Sequence, residues 1–120
     1  MQKETNTLLS KTKNGQIYKC PNCNKIHVEF NNLNFNFSQK QFDKFTEYIL
    51  NLNGTKWEEK NKASFYQRKI IIPIGHNSFN VLLNNSELIE LKQLFNISLA
   101  ESYTFKHFRV LNLNFTHFVN

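Results

Sequence analysis

Residues 26–49, IHVEFNNLNFNFSQKQFDKFTEYI, decide how this chain folds. Ile26, Val28 and Phe30 alternate with His27 and Glu29, Asn31-Asn32 offers a turn, and Leu33, Phe35 and Phe37 alternate with Asn34 and Asn36. Patterning of period two on both sides of a turn predicts a hairpin with one apolar and one polar face. The period then changes. Ser38 is an N-cap residue with Gln41 three positions on, and Phe42, Phe45, Ile49 and Leu52 fall at helical spacing before Gly54 supplies a stop. The apolar stripe of this helix is expected to cover the hairpin, leaving Lys40, Asp43, Lys44 and Glu47 to solvent.

The same order returns further along. Past a polar connector at 55–64, Ile70, Ile72 and Ile74 predict a strand, Gly75 to Ser78 a turn, and Phe79, Val81 and Leu83 a second strand. Asn84 then caps a helix carrying Leu88, Leu91 and Phe95. Matching Ile26 to Ile72, an offset of 46, also matches Ser38 to Asn84, Gln41 to Glu87, Phe42 to Leu88 and Ile49 to Phe95 without a gap. The fold expected is α+β, a tandem ββα repeat making a mostly antiparallel sheet with two helices on one face. Residues 1–15 read as a flexible lead and 16–120 as one domain: 16–54 the first unit, 64–97 the second, and 102–120 a C-terminal strand. In the second unit, Phe65 to Ile74 reads as one long strand.

Both cysteines lie just before the first hairpin, in Tyr-Lys-Cys-Pro-Asn-Cys-Asn-Lys-Ile-His at 18–27. Two thiolates separated by two residues converge on one tetrahedral ion when the backbone between them turns tightly, and zinc prefers such ligands. Pro21 fixes φ inside the turn, and Asn24, after the second cysteine, is the residue after glycine best suited to a left-handed conformation. The motif predicts a zinc-ribbon-like knuckle in which Cys20, Cys23 and His27 bind zinc, or iron in its place. The fourth position stays open among His76, His107, His117, Glu29 and water. Three readings compete: a redox pair, although that chemistry favours a first cysteine at a helix N-terminus and here the turn lies between strands; a structural disulfide, disfavoured because nothing suggests an oxidising compartment; and a knuckle that has lost its metal but kept its turn.

The remaining composition bounds the function. Twelve phenylalanines against one tryptophan predict a core built from flat rings. The first residues are polar, with no apolar h-region, and no stretch approaches the roughly twenty apolar residues of a membrane span, so a cytoplasmic chain without membrane contact is expected. The net charge is +6, with Lys56, Lys60, Lys62, Arg68 and Lys69 the densest patch. Such charge attracts phosphate or acidic partners.

With these elements laid out, the chain resembles a small family of proteins of unknown function from Bacteroidota, in which a Cys-x-x-Cys knuckle runs into a hairpin and helix and then a second hairpin and capped helix. The stretches that carry the resemblance are Cys20 to Leu33, Ser38 to Ile49 and Ser86 to Phe95, and it covers about residues 16–97. It implies a shared fold and shared cysteines, and no substrate or reaction.

Three functions are weighed. The first is a small metal-binding module that acts by binding another macromolecule, a protein rather than a nucleic acid, with an exposed edge strand offering a route to a homodimer. The second is a nucleic-acid-binding adaptor that stacks bases on Tyr18, Trp57 and Tyr66. The third, an enzyme, is not favoured, since there is no Gly-rich phosphate loop, nucleophile elbow or His-Glu-x-x-His segment.

Overall fold

The structure, a computed structural model, describes residues 6–102, with side-chain surroundings as far as Ser98. Six strands and three helices follow one another: β1 (Thr7–Thr12), β2 (Gly15–Cys20), β3 (Lys25–Phe30), β4 (Leu33–Phe37), α1 (Gln39–Leu50), α2 (Gly54–Lys60), β5 (Ile70–His76), β6 (Phe79–Leu83) and α3 (Asn85–Ser102). The strands form two antiparallel sheets, one of order β1-β2-β3-β4 and one of β5-β6. The chain divides into two compact units. Among the described residues, one holds those up to Asn51 and those from Leu91 on, and the other holds Leu52–Glu90.

In the first unit, β3 is paired on both sides. His27 lies opposite Tyr18 of β2 and Asn36 of β4, and Val28 lies opposite Ile17 and Phe35. Because side chains alternate along a strand, Ile26, Val28 and Phe30 are buried while Lys25, His27 and Glu29 take the other face. Asn31 turns the β3–β4 hairpin with φ of 54°, a conformation asparagine adopts more easily than most residues. The expected hairpin and its first helix are both present. Ser38 and Gln41 form the reciprocal capping box of α1, with the Gln41 amide donating to Ser38 Oγ and the Ser38 amide to Gln41 Oε1. Phe45 meets Phe35 and Phe37, Phe42 meets Phe37, and Phe95 meets Phe42 and, edge-on, Phe45, with ring centroids 5.2–6.4 Å apart. Of these rings Phe42 and Phe95 are buried, and full burial of such a side chain contributes about 1.5–3 kcal/mol.

Several expectations are corrected. Residues 7–12, read as part of a flexible lead, form β1, whose Ser10 is buried and donates its hydroxyl hydrogen to the Leu94 carbonyl at 2.7 Å. The sequence signal was weak because Leu8 and Leu9 fall at a bulge where the β1–β2 register shifts. Gly54 begins α2 instead of stopping α1. The first helix closes at Asn51, whose amide donates to the Glu47 carbonyl, and Asn53 caps α2 by accepting from the Lys56 amide at 3.0 Å. The polar connector thus contains a short helix. A glycine suits its first position because a Cβ there would collide with the Asn85 side chain and approach Leu88 Cδ2 at 3.1 Å.

The expected single sheet is two, and the second hairpin departs from the first. β5 begins at Ile70, so the long strand from Phe65 is absent, and Lys69 is instead tied to the preceding loop, donating to the Ser64 carbonyl. Its register shifts between Pro73 and His76, where Gly75 adopts φ of +85°. Ile74 is therefore exposed where its match Val28 is buried. The strand–strand–helix order does recur, and Asn84 and Glu87 repeat the capping box. However, α3 from Leu91 on belongs to the first unit, so the second hairpin and its helix do not form a self-contained copy. The strand expected over 102–120 lies, from 103 on, outside the described residues, and Ser102 ends α3.

Two outcomes test this architecture. A Cβ on Gly15 would lie 2.8 Å from the Glu29 carbonyl oxygen and 2.9 Å from Leu94 Cδ2, so Gly15→Ala is expected to cost about 1–3 kcal/mol, read as a lower urea midpoint. Arg68 grips Glu87 through Nε at 2.8 Å and Nη2 at 3.0 Å, and these bonds hold the Glu87 carboxyl below the ordinary value of 4.5. A depressed carboxylate contributes stability above its unfolded-state value and loses it as pH falls through the folded-state value. Stability should therefore drop on acidification below about pH 4.5, and Glu87→Gln should shrink that drop in urea titrations at pH 7 and pH 3.

Candidate metal centre

The knuckle closes the β2–β3 hairpin. Cys20 ends β2 opposite Lys25, and residues 21–24 make the turn. Asn24 takes φ of 55°, as its place after the second cysteine demanded, and the Cys23 amide donates to Cys20 Sγ at 3.2 Å. An N–H aimed at sulfur favours the anionic thiolate, the form that binds metals. His27 then enters through the strand register, two residues into β3 and on the face opposite the core. Its Nε2 lies 3.4 Å from Cys23 Sγ. The ligand atoms of Cys20, Cys23 and His27 all lie within 4.8 Å of one another, and the site is half-buried to exposed.

The orientation of His27 follows from its neighbours. Asn36 lies directly opposite it on β4, and the Asn36 amide nitrogen donates to Asn34 Oδ1 at 2.9 Å, which leaves Asn36 Oδ1 facing the ring. That oxygen accepts a short hydrogen bond from His27 Nδ1. With Nδ1 as donor, the neutral ring presents its Nε2 lone pair to the thiols, the tautomer a metal requires. On the other side Tyr18 stacks on the ring, centroids 4.9 Å apart and planes 25° apart. Tyr18 is held in turn: its hydroxyl donates to Glu29 Oε2 at 3.3 Å, and Gln16 Nε2 donates to Glu29 Oε1 at 3.0 Å. Burial, and then the Glu29 carboxylate, push the Tyr18 phenol up, so it keeps the proton it donates.

These three residues could hold a metal ion. Ligands held at 2.0–2.3 Å around a tetrahedral centre lie about 3.5 Å apart, close to the separation of Cys23 Sγ and His27 Nε2. The two sulfurs lie at disulfide distance from each other, with Cα atoms 5.6 Å apart. A metal would need the reduced pair with its sulfurs further apart, and Cys23, which would have to move, is exposed.

Of the residues left open for the fourth position, Glu29 is engaged by Tyr18 and Gln16. His76 belongs to the other unit, accepts from the Ser78 amide at 3.0 Å and packs on Phe79. His107 and His117 lie outside the described residues. Among the described residues no fourth histidine, cysteine or carboxylate joins the group. Asn36 was missed in the sequence reading, although the two-residue turn Asn31-Asn32 sets it opposite His27.

Among known families, the model of a family of unknown function (DUF6686) matches residues 1–120. No curated protein and no solved structure matches the chain.

The hydrogen bond that Asn36 accepts from His27 has a measurable consequence. Asn36→Ala frees the ring without touching the core, and loss of such a support weakens metal affinity about 10–100-fold. In zinc competition against a chromogenic chelator, Asn36→Ala should show that loss with its urea midpoint close to wild type.

Proposed function

For a chain that belongs to the family of unknown function DUF6686, we propose a small metal-stapled module in which Cys20, Cys23 and His27 hold a structural zinc ion and the domain acts by binding another protein. One observation carries this reading: the Nδ1 bond to Asn36 aims the His27 lone pair at two thiols already turned together by the knuckle. Bound zinc would fix the 21–24 turn and add its binding free energy to folding. The reading takes the chain to be cytoplasmic, where thiols stay reduced and able to bind metal. Among the described residues, no helix is long and apolar enough to cross a membrane.

A protein partner is favoured over a nucleic acid by the basic patch itself. Arg68 is held by Glu87, Lys62 pairs with Glu59 at 3.0 Å, Lys69 donates to Ser64, and Lys60 lies 5.1 Å from the centre of the Trp57 ring. Four of the five cations are thus engaged within the chain, and the Trp57 face is covered by a lysine. Among the described residues β1, β4, β5 and β6 each pair on one side, so pairing with a second copy is part of the same proposal.

The test is native mass spectrometry with elemental analysis on protein purified without a metal-affinity tag, comparing wild type with Cys20→Ser. One zinc per chain is expected in the wild type and none in the variant. Added zinc should raise the melting temperature of the wild type over its chelator-treated form and leave that of the variant unchanged. A wild type that stays metal-free with two titrating thiols would overturn the reading.

A further inference from the structure

Resting on the metal reading above, we infer that the Cys20–Cys23 pair is also an oxidation site for peroxides, at which conversion of the two thiolates to a disulfide expels the metal. The knuckle geometry serves both states. A Cα separation of 5.6 Å lies within the range of disulfides. Oxidation therefore asks for no movement of β2 or β3, whose pairing runs from Gly15↔Phe30 to Cys20↔Lys25.

Access and ligand count give the reaction its effect. Cys23 is exposed in the turn, while Cys20 is half-buried and held by the Cys23 amide at 3.2 Å. The Cys23 thiolate attacks a peroxide oxygen, the O–O bond breaks, and the departing hydroxide takes up a proton as water. This leaves Cys23 as a sulfenic acid. The Cys20 thiolate then attacks the Cys23 sulfur, the S–O bond breaks, and a second hydroxide leaves as water with another proton. Two thiolates, one hydrogen peroxide and two protons have become one disulfide and two waters. Of the three ligands that the described residues bring together, only His27 remains, and one imidazole does not retain zinc against water. A closed four-cysteine site would keep more of its ligands; here two of three go in one step.

The experiment uses the full chain, reduced, loaded with zinc and freed of excess metal, with hydrogen peroxide as the oxidant and a chromogenic chelator reporting free zinc. The expected result is release of about one zinc per chain in step with loss of two titratable thiols, a mass about 2 Da below the reduced apo chain, and recovery of zinc binding after a dithiol reductant. Zinc retained after peroxide treatment would overturn this inference and leave the metal reading standing. Release accompanied by sulfinic acid, or by a disulfide between chains, would also overturn it. If the reduced chain binds no zinc at all, both readings fall together.

Discussion

The pairing of β3 on both its edges is the constraint from which the rest of the first unit follows. A strand has side-chain period two, so a slip of one residue would send Ile26, Val28 and Phe30 to solvent and bury His27 and Glu29. Burial of those three apolar side chains sets the register, and the register in turn sets what stands on the other face. Tyr18, His27 and Asn36 come into line across three strands because Ile17, Val28 and Phe35 do so beneath them. The hydrophobic effect is non-directional, yet through the ladder it positions an imidazole.

The outer face depends on this arrangement in a second way. Every polar group that fixes His27 comes from a strand, whereas Cys20 stands at the end of β2 and Cys23 in the turn. Glu29 holds Tyr18, Tyr18 lies on the ring, and Asn34 orients the amide that holds the ring's far nitrogen. Sites built on strands are positioned more closely than sites built on loops. On the oxidation inference, the cysteines are the half of the candidate centre whose chemistry changes, and His27, held by strand neighbours, is the ligand left alone.

Much of this was legible in the sequence, and the parts that were not share a cause. The hairpin, its turn at Asn31, the capping box at Ser38 and the left-handed Asn24 each have a strong local signature, and each is present. Asn36 was also within reach: with a turn at 31–32, opposed residues sum to 63, which puts 36 against 27. The failures came where a local signal was cancelled by a bulge or by tertiary contact. The β1 alternation breaks at Leu9, and the helix at Gly54 opens on a residue of poor propensity that is chosen for the Asn85 side chain against it. The matching pattern in residues 70–95 suggested a second copy of the first unit. A periodic match reports which face of an element is apolar, but not which core covers it, and α3 from Leu91 on lies with the first unit.

The separation between core and site bears on what the metal would do. In a minimal zinc finger the ion replaces a core, so the chain unfolds without it. Here Ile17, Ile26, Val28 and Phe30 are buried on the face opposite His27, and β2 and β3 are paired along their full length up to the knuckle. The sheet has its own reasons to form. Zinc would then order the four residues of the turn and the side chains around it, and its loss would alter that corner of the surface while the fold persists. On the proposed reading, filling and emptying the site would change the end of the hairpin, where Cys23 is exposed, and leave the buried face as it is.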